Sequence, residues 1–84
     1  MKPLLDSKYD PVAEAMYLRY SNANAVRCQM LDGDDGAVCV DFDVAGDVVG
    51  IELIVVDDET VALATTYANE HGLGLTGAHF PSAA

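Results

Sequence analysis

Apolar residues recur along this chain with two different periods. Upstream of residue 55 every second residue is apolar in four stretches: Met16, Leu18 and Tyr20; Val26, Cys28 and Met30; Val38, Val40 and Phe42; Val49, Ile51 and Leu53. A period of two lines one face of a β-strand. Downstream, Val61, Leu63, Ala64, Tyr67, Ala68 and His71 recur at roughly 100° per residue, the period of a helix with one apolar side. Glu59, Thr66, Asn69 and Glu70 fall mainly on the other side. Asp57, Asp58 and Glu59 place negative charge where a helix start favours it, and Gly72 suits its end.

The polar stretches between these runs read as turns. "SNANA" at 21–25 is loop chemistry, because Ser and Asn side chains compete with regular backbone pairing. "DGDDG" at 32–36 is a tight-turn signal. Residues 10–20 carry two readings. Asp10-Pro11 followed by Ala13, Glu14, Ala15 and Met16 has helix propensity, whereas the alternation implies a turn at 10–14 and a strand from about 15. The expected fold is α+β: a small antiparallel β-meander of three to four strands with one C-terminal amphipathic helix packed on one face. The chain divides into a lead-in at 1–8, the meander at 9–57, the helix at 58–71 and a Gly-rich tail at 72–84, all in a single domain. The tail either adds a short strand through Leu73 and Leu75 or forms an arm.

The stretch from Asp41 to Glu52, "DFDVAGDVVGIE", has acids at positions 1, 3 and 12 and a Gly at 6, as a calcium-binding EF-hand loop does. Position 5, which should supply an oxygen, is Ala45, and the flanks alternate like strands. A hairpin accounts for every apolar residue instead. Phe42 should pair with Val49, Val40 with Ile51 and Val38 with Leu53, around a two-residue loop at 45–46 or a four-residue loop at 44–47. A three-residue loop would need a bulge to keep the apolar faces together. In this register Asp41, Asp43 and Glu52 lie on the outer face, with Glu52 near Cys39. Tyr17, Val48 and Ile54 are expected opposite Val49 and Ile51, as an apolar patch suited to a second copy.

"YDPVAEAMYLRY" and "VCVDFDVAGDVVGIELI" together resemble the family catalogued as domain of unknown function 2283. The residues that carry the resemblance are Tyr9, Asp10, Pro11, Tyr17, Asp41, Asp43, Gly46, Gly50, Ile51 and Glu52, within about residues 8–57. Glu14 stands where the family pattern has Asp, and the helix and tail after 57 depart from it. The resemblance implies a small antiparallel sheet with residues 15–20 as a strand. It also implies stand-alone bacterial or phage proteins, some of them antitoxin-like partners of small neighbouring proteins.

Composition narrows the function. With 84 residues there is room for one small domain, a size at which oligomerisation often adds stability. Four basic residues against 14 acidic ones give a net charge of −10, which disfavours direct binding to nucleic acid. No apolar run approaches the roughly 20 residues of a membrane span, and the start of the chain is too short for a signal-peptide core. Two cysteines without a C-x-x-C spacing fit reduced thiols in a cytoplasmic protein. No nucleophile–base set stands out. His71 suits a helix C-terminus, His79 lies in the tail, and Cys28 and Cys39 show no zinc-ligand spacing with them. No catalytic residue, metal ligand or cofactor is therefore expected. The candidate binding residues are Asp41, Asp43, Glu52 and Tyr17. The leading expectation is a non-enzymatic, acidic protein-interaction module, a homodimer with a basic protein partner, antitoxin-like or regulatory. The alternatives are a small metal-dependent or carboxylate-based enzyme, and an acidic mimic of nucleic acid.

Overall fold

The alternating stretches form strands, and one further strand precedes them. A computed structural model describes residues 1–33 and 36–81. The strands are β1 (Asp6–Asp10), β2 (Ala15–Arg19), β3 (Arg27–Met30), β4 (Val38–Phe42) and β5 (Val48–Leu53), followed by one helix, α1 (Asp58–Glu70). They make one antiparallel sheet in the order β1-β2-β5-β4-β3. Asp34 and Asp35 of the expected turn, and residues 82–84 of the tail, lie outside the described residues.

Two features correct the expected meander of three to four strands. The sheet has five strands, and β2 pairs with β5 rather than with its sequence neighbour β3. The extra strand is β1, within and just beyond the expected lead-in. Its sequence, DSKYD, has no apolar alternation because it lies at the sheet edge and is mostly exposed. Its place is set by pairing with β2, from Asp6 opposite Arg19 to Asp10 opposite Ala15. The turn between them answers the ambiguity at 10–20. Asp10 Oδ1 accepts from the Val12 and Ala13 amides at 3.0 and 3.3 Å, and Glu14 closes the turn at φ 56°. An Asx turn has thus taken the helix-favouring residues out of helical geometry.

The β4–β5 hairpin holds the expected pairs Val38–Leu53 and Val40–Ile51, but Phe42 faces Val48, not Val49. The loop has three residues, 44–46, and Gly46 takes the left-handed conformation at φ 85°. A bulge between Asp41 and Phe42 in the register leaves Val49 as the extra residue on β5. The bulge reconciles a three-residue loop with apolar pairs further along the hairpin. The Val49 carbonyl accepts from the Tyr20 and Ser21 amides at 2.8 and 3.2 Å, so the bulged residue also anchors the end of β2.

One face of the sheet carries the core. Met16, Leu18, Val38, Val40, Ile51 and Leu53 are almost fully buried with Ala64 and Ala68 of α1. Asp57 caps the helix: its Oδ1 accepts from the Thr60 amide at 2.9 Å, and its own amide donates to Thr60 Oγ1 at 3.0 Å. This reciprocal pair accompanies the burial of Thr60, which the apolar spacing does not include, while His71, which it does include, is exposed. The tail adds one parallel bridge, Lys2 to Leu73, rather than a strand. Leu4, Leu75 and Phe80 extend the core beside it, and the Tyr20 hydroxyl donates to the Gly74 carbonyl at 2.9 Å.

Two substitutions test this fold by chemical denaturation. Phe42→Ala should cost about 3–5 kcal/mol, because the ring is 8% exposed and packs in the core; a cost near zero would show that the ring does not face the core. Glu14→Gly should raise stability by about 1 kcal/mol, by relieving a left-handed residue with a Cβ.

Candidate functional site

No helix or strand packs on the other face of the sheet among the described residues. The strand registers lay its side chains out in two rows. One row runs Lys8, Tyr17, Glu52, Cys39, Met30; the next runs Asp6, Arg19, Gly50, Asp41, Cys28. Gly50 is the low point of this face. A Cβ there would overlap the Tyr17 ring, so glycine lets the ring lie across the sheet. From that position the Tyr17 hydroxyl donates to Asp41 Oδ2 at 2.9 Å, two strands away. The Arg19 guanidinium stands 5.1 Å from the ring centroid, within cation–π range.

The second carboxylate oxygen of Asp41 points towards sulfur. Cys39 Sγ lies 3.9 Å from Asp41 Oδ1, a weak S–H donor contact. Ligand atoms of Cys28, Cys39 and Asp41 all lie within 4.8 Å of one another. Cys39 is buried and Cys28 exposed. Beside Tyr17, towards β1, lies an open hollow of about 300 Å³, lined in part by Lys8, Asp10, Tyr17 and Glu52.

Burial and neighbouring negative charge both favour the protonated forms here. Burial comes first in raising the Tyr17 phenol well above its ordinary value; the hydrogen bond to Asp41 and the charges of Asp41 and Glu52 add to it, while Arg19 opposes. Burial also leads in pushing the Cys39 thiol up to about 12, followed by its contact with Cys28 and the charges of Asp41 and Glu52. At neutral pH Tyr17 is therefore a hydrogen-bond donor and Cys39 a thiol, which is a poor nucleophile. The histidines are engaged elsewhere or exposed. His71 stacks on Tyr67 with ring centroids 3.9 Å apart, and its Nδ1 donates to the Tyr67 carbonyl at 2.9 Å, the helix-end role its position suggested. His79 is exposed.

Of the four residues singled out from sequence, Tyr17, Asp41 and Glu52 share this face and Asp43 does not join them. Asp43 flanks the hairpin loop, where its Oδ1 accepts from the Ala45 and Asp47 amides, both at 3.0 Å. The expected apolar patch also changes. Val48 packs against the core and Ile54 lies beyond the end of β5. The reason is the bulge: one extra residue reverses which side chains of β5 face the core on either side of it. Sequence reasoning missed the juxtaposition of Cys28, Cys39 and Asp41, and the part played by Gly50. A glycine between β-branched residues inside a strand is the signal that could have drawn attention to it.

The model of the family described as "Protein of unknown function (DUF2283)" matches residues 7–56, which is more than half of the chain. The match covers almost the same segment as the residues that carry the resemblance, includes the whole sheet apart from Asp6, and stops before α1. No curated protein and no solved structure matches.

The raised thiol has a consequence for stability. The folded chain keeps the Cys39 proton to higher pH than the unfolded chain, so stability is full below the ordinary thiol value of 9.0 and is lost as pH rises towards about 12. The denaturation midpoint should fall across that window, and Cys39→Ser should flatten the fall. An equally steep fall in Cys39→Ser would assign the titration to other groups.

Proposed function

The chain belongs to DUF2283, a family of proteins of unknown function, and we propose that it is a small acidic protein-interaction module that binds a basic protein partner on its uncovered sheet face. The observation that carries this reading is Tyr17: half-buried, laid over Gly50, and held at its hydroxyl by Asp41. An aromatic side chain already fixed in one orientation loses little entropy on binding, and tyrosine is enriched among residues that dominate interface energies. The partner's charge follows from the surroundings. Asp10 and Glu52 line the adjoining hollow, Asp41 and Asp6 lie in the neighbouring row, and the whole chain carries −10. Lys or Arg side chains of a partner would meet complementary charge there.

A regulatory or antitoxin-like role towards another small protein fits such a module. Two free thiols fit a reducing compartment, and we place the protein in the cytoplasm. No helix among the described residues is long and apolar enough to cross a membrane. The homodimer expected from the sequence is the competing occupant of the same face. It would bring the acids of two copies together, which opposes association through this surface.

The test uses two baits in parallel, the wild-type chain and Tyr17→Ala, each checked for native circular dichroism. Capture from the native cell should retain a basic protein on the wild type and about tenfold less of it on the variant. With the purified partner, association should slow several-fold between low and physiological salt, while dissociation changes less. Asp41→Asn combined with Glu52→Gln should slow association further. A partner held equally by both baits, or a salt-independent association rate, would overturn the reading. A dimer mass in light scattering that Tyr17→Ala abolishes would give the face to a second copy instead.

A further inference from the structure

The two oxygens of Asp41 have separate roles. Oδ2 is fixed by the Tyr17 hydroxyl, which leaves Oδ1 turned towards the Cys39 sulfur, with Cys28 alongside. We propose that Cys28, Cys39 and Asp41 form a binding site for a thiophilic divalent cation of the zinc class. The inference rests on this geometry and does not depend on the partner reading.

Three properties of the cluster support it. The first is spacing. Tetrahedral zinc with Zn–S near 2.3 Å and Zn–O near 2.0 Å needs ligand atoms about 3.5–3.8 Å apart. Cys39 Sγ and Asp41 Oδ1 already stand at 3.9 Å, and all three ligand atoms lie within 4.8 Å of one another. Rotamer adjustments of under about 1 Å at the exposed Cys28 would complete the triangle. The second is support from behind. Metal-binding carboxylates are commonly oriented by an outer hydrogen bond. Here that bond comes from Tyr17, whose own place depends on Gly50. The third is charge and access. Two thiolates and a carboxylate would bring three negative charges together beside Glu52, and a divalent cation offsets most of that repulsion. Both thiols release their protons to solvent on coordination. The exposed Cys28 leaves an entry route.

The site escapes sequence-spacing rules because it is built across a hairpin. Cys28 is directly opposite Asp41, and Cys39 is the next same-face residue diagonal to Cys28. Zinc motifs read from sequence look for ligands close together in the chain, whereas these sulfurs belong to two strands joined by a turn.

Reduced, chelator-treated full-length chain should be titrated with zinc anaerobically, and separately with cobalt as a spectroscopic probe. One zinc ion should bind per chain, and cobalt should give a thiolate-to-metal charge-transfer band. Cys28→Ser, at an exposed position, should weaken zinc binding by at least about 100-fold and abolish that band. Asp41→Asn and the positioning variant Tyr17→Phe should each weaken it by about 10-fold or more, and Tyr17→Phe should leave the band intact. Native circular dichroism of each variant separates loss of ligand from loss of fold. Zinc binding unchanged by Cys28→Ser, a cobalt spectrum without the band, or no saturable binding would each overturn the proposal. So would a Cys28–Cys39 disulfide in protein isolated without oxygen, which would make the pair a redox element. A Cys28→Ser chain that loses zinc but still binds the basic partner would keep the two readings apart.

Discussion

Pairing of β2 with β5 is the constraint on which the rest of this structure depends. Leu18 opposite Ile51 and Met16 opposite Leu53 are almost fully buried at the middle of the sheet, more than 30 residues apart in the chain. Closing so long a loop has an entropic cost that grows only slowly with length, and packing two large apolar pairs offsets it. With β2 in place, β1 acquires an edge to pair with although it has little apolar surface of its own. The opposite face is organised by the same pairing. Tyr17 becomes the neighbour of Glu52, its ring reaches over Gly50, and its hydroxyl reaches Asp41 on β4.

The two faces of the sheet use different physics. Towards α1 the packing is apolar, and the polar groups that enter it are paired: Thr60 with the Asp57 cap, and Tyr20 with the Gly74 carbonyl. Among the described residues no buried side-chain nitrogen or oxygen lacks a hydrogen-bond partner. Away from α1, aromatic, carboxylate, guanidinium and thiol groups share a half-buried layer. A low-dielectric setting strengthens their mutual interactions and raises the Tyr17 phenol and the Cys39 thiol. That layer has the ingredients for both the recognition surface and the soft-metal site proposed above.

The hairpin bulge links these faces. Because Val49 is extra, Val48 turns to the core, and the Val49 carbonyl is available to hold the amides at the end of β2. Without it, the three-residue loop would put the apolar faces of β4 and β5 on opposite sides. Asp43 serves this geometry by holding the loop amides, which explains an acid in that position without a ligand.

Local chemistry alone determined much of this protein. Alternation at 38–42 and 49–53 specified two paired strands, acids at 57–59 before a helical period specified the capped helix, and Tyr9-Asp10-Pro11 with Asp41-Phe42-Asp43 pointed to the family. These features are legible because each depends on residues close in the chain. Tertiary structure decided the strand order, the existence of β1, the facing of Val48, and the meeting of Tyr17, Asp41, Cys39 and Cys28. Residues as far apart as Tyr17 and Gly50 become neighbours only after the sheet has closed. Alternation says which face a side chain takes within its strand. Which strands lie side by side, and whether a bulge reverses that face, is settled by packing the whole core at once.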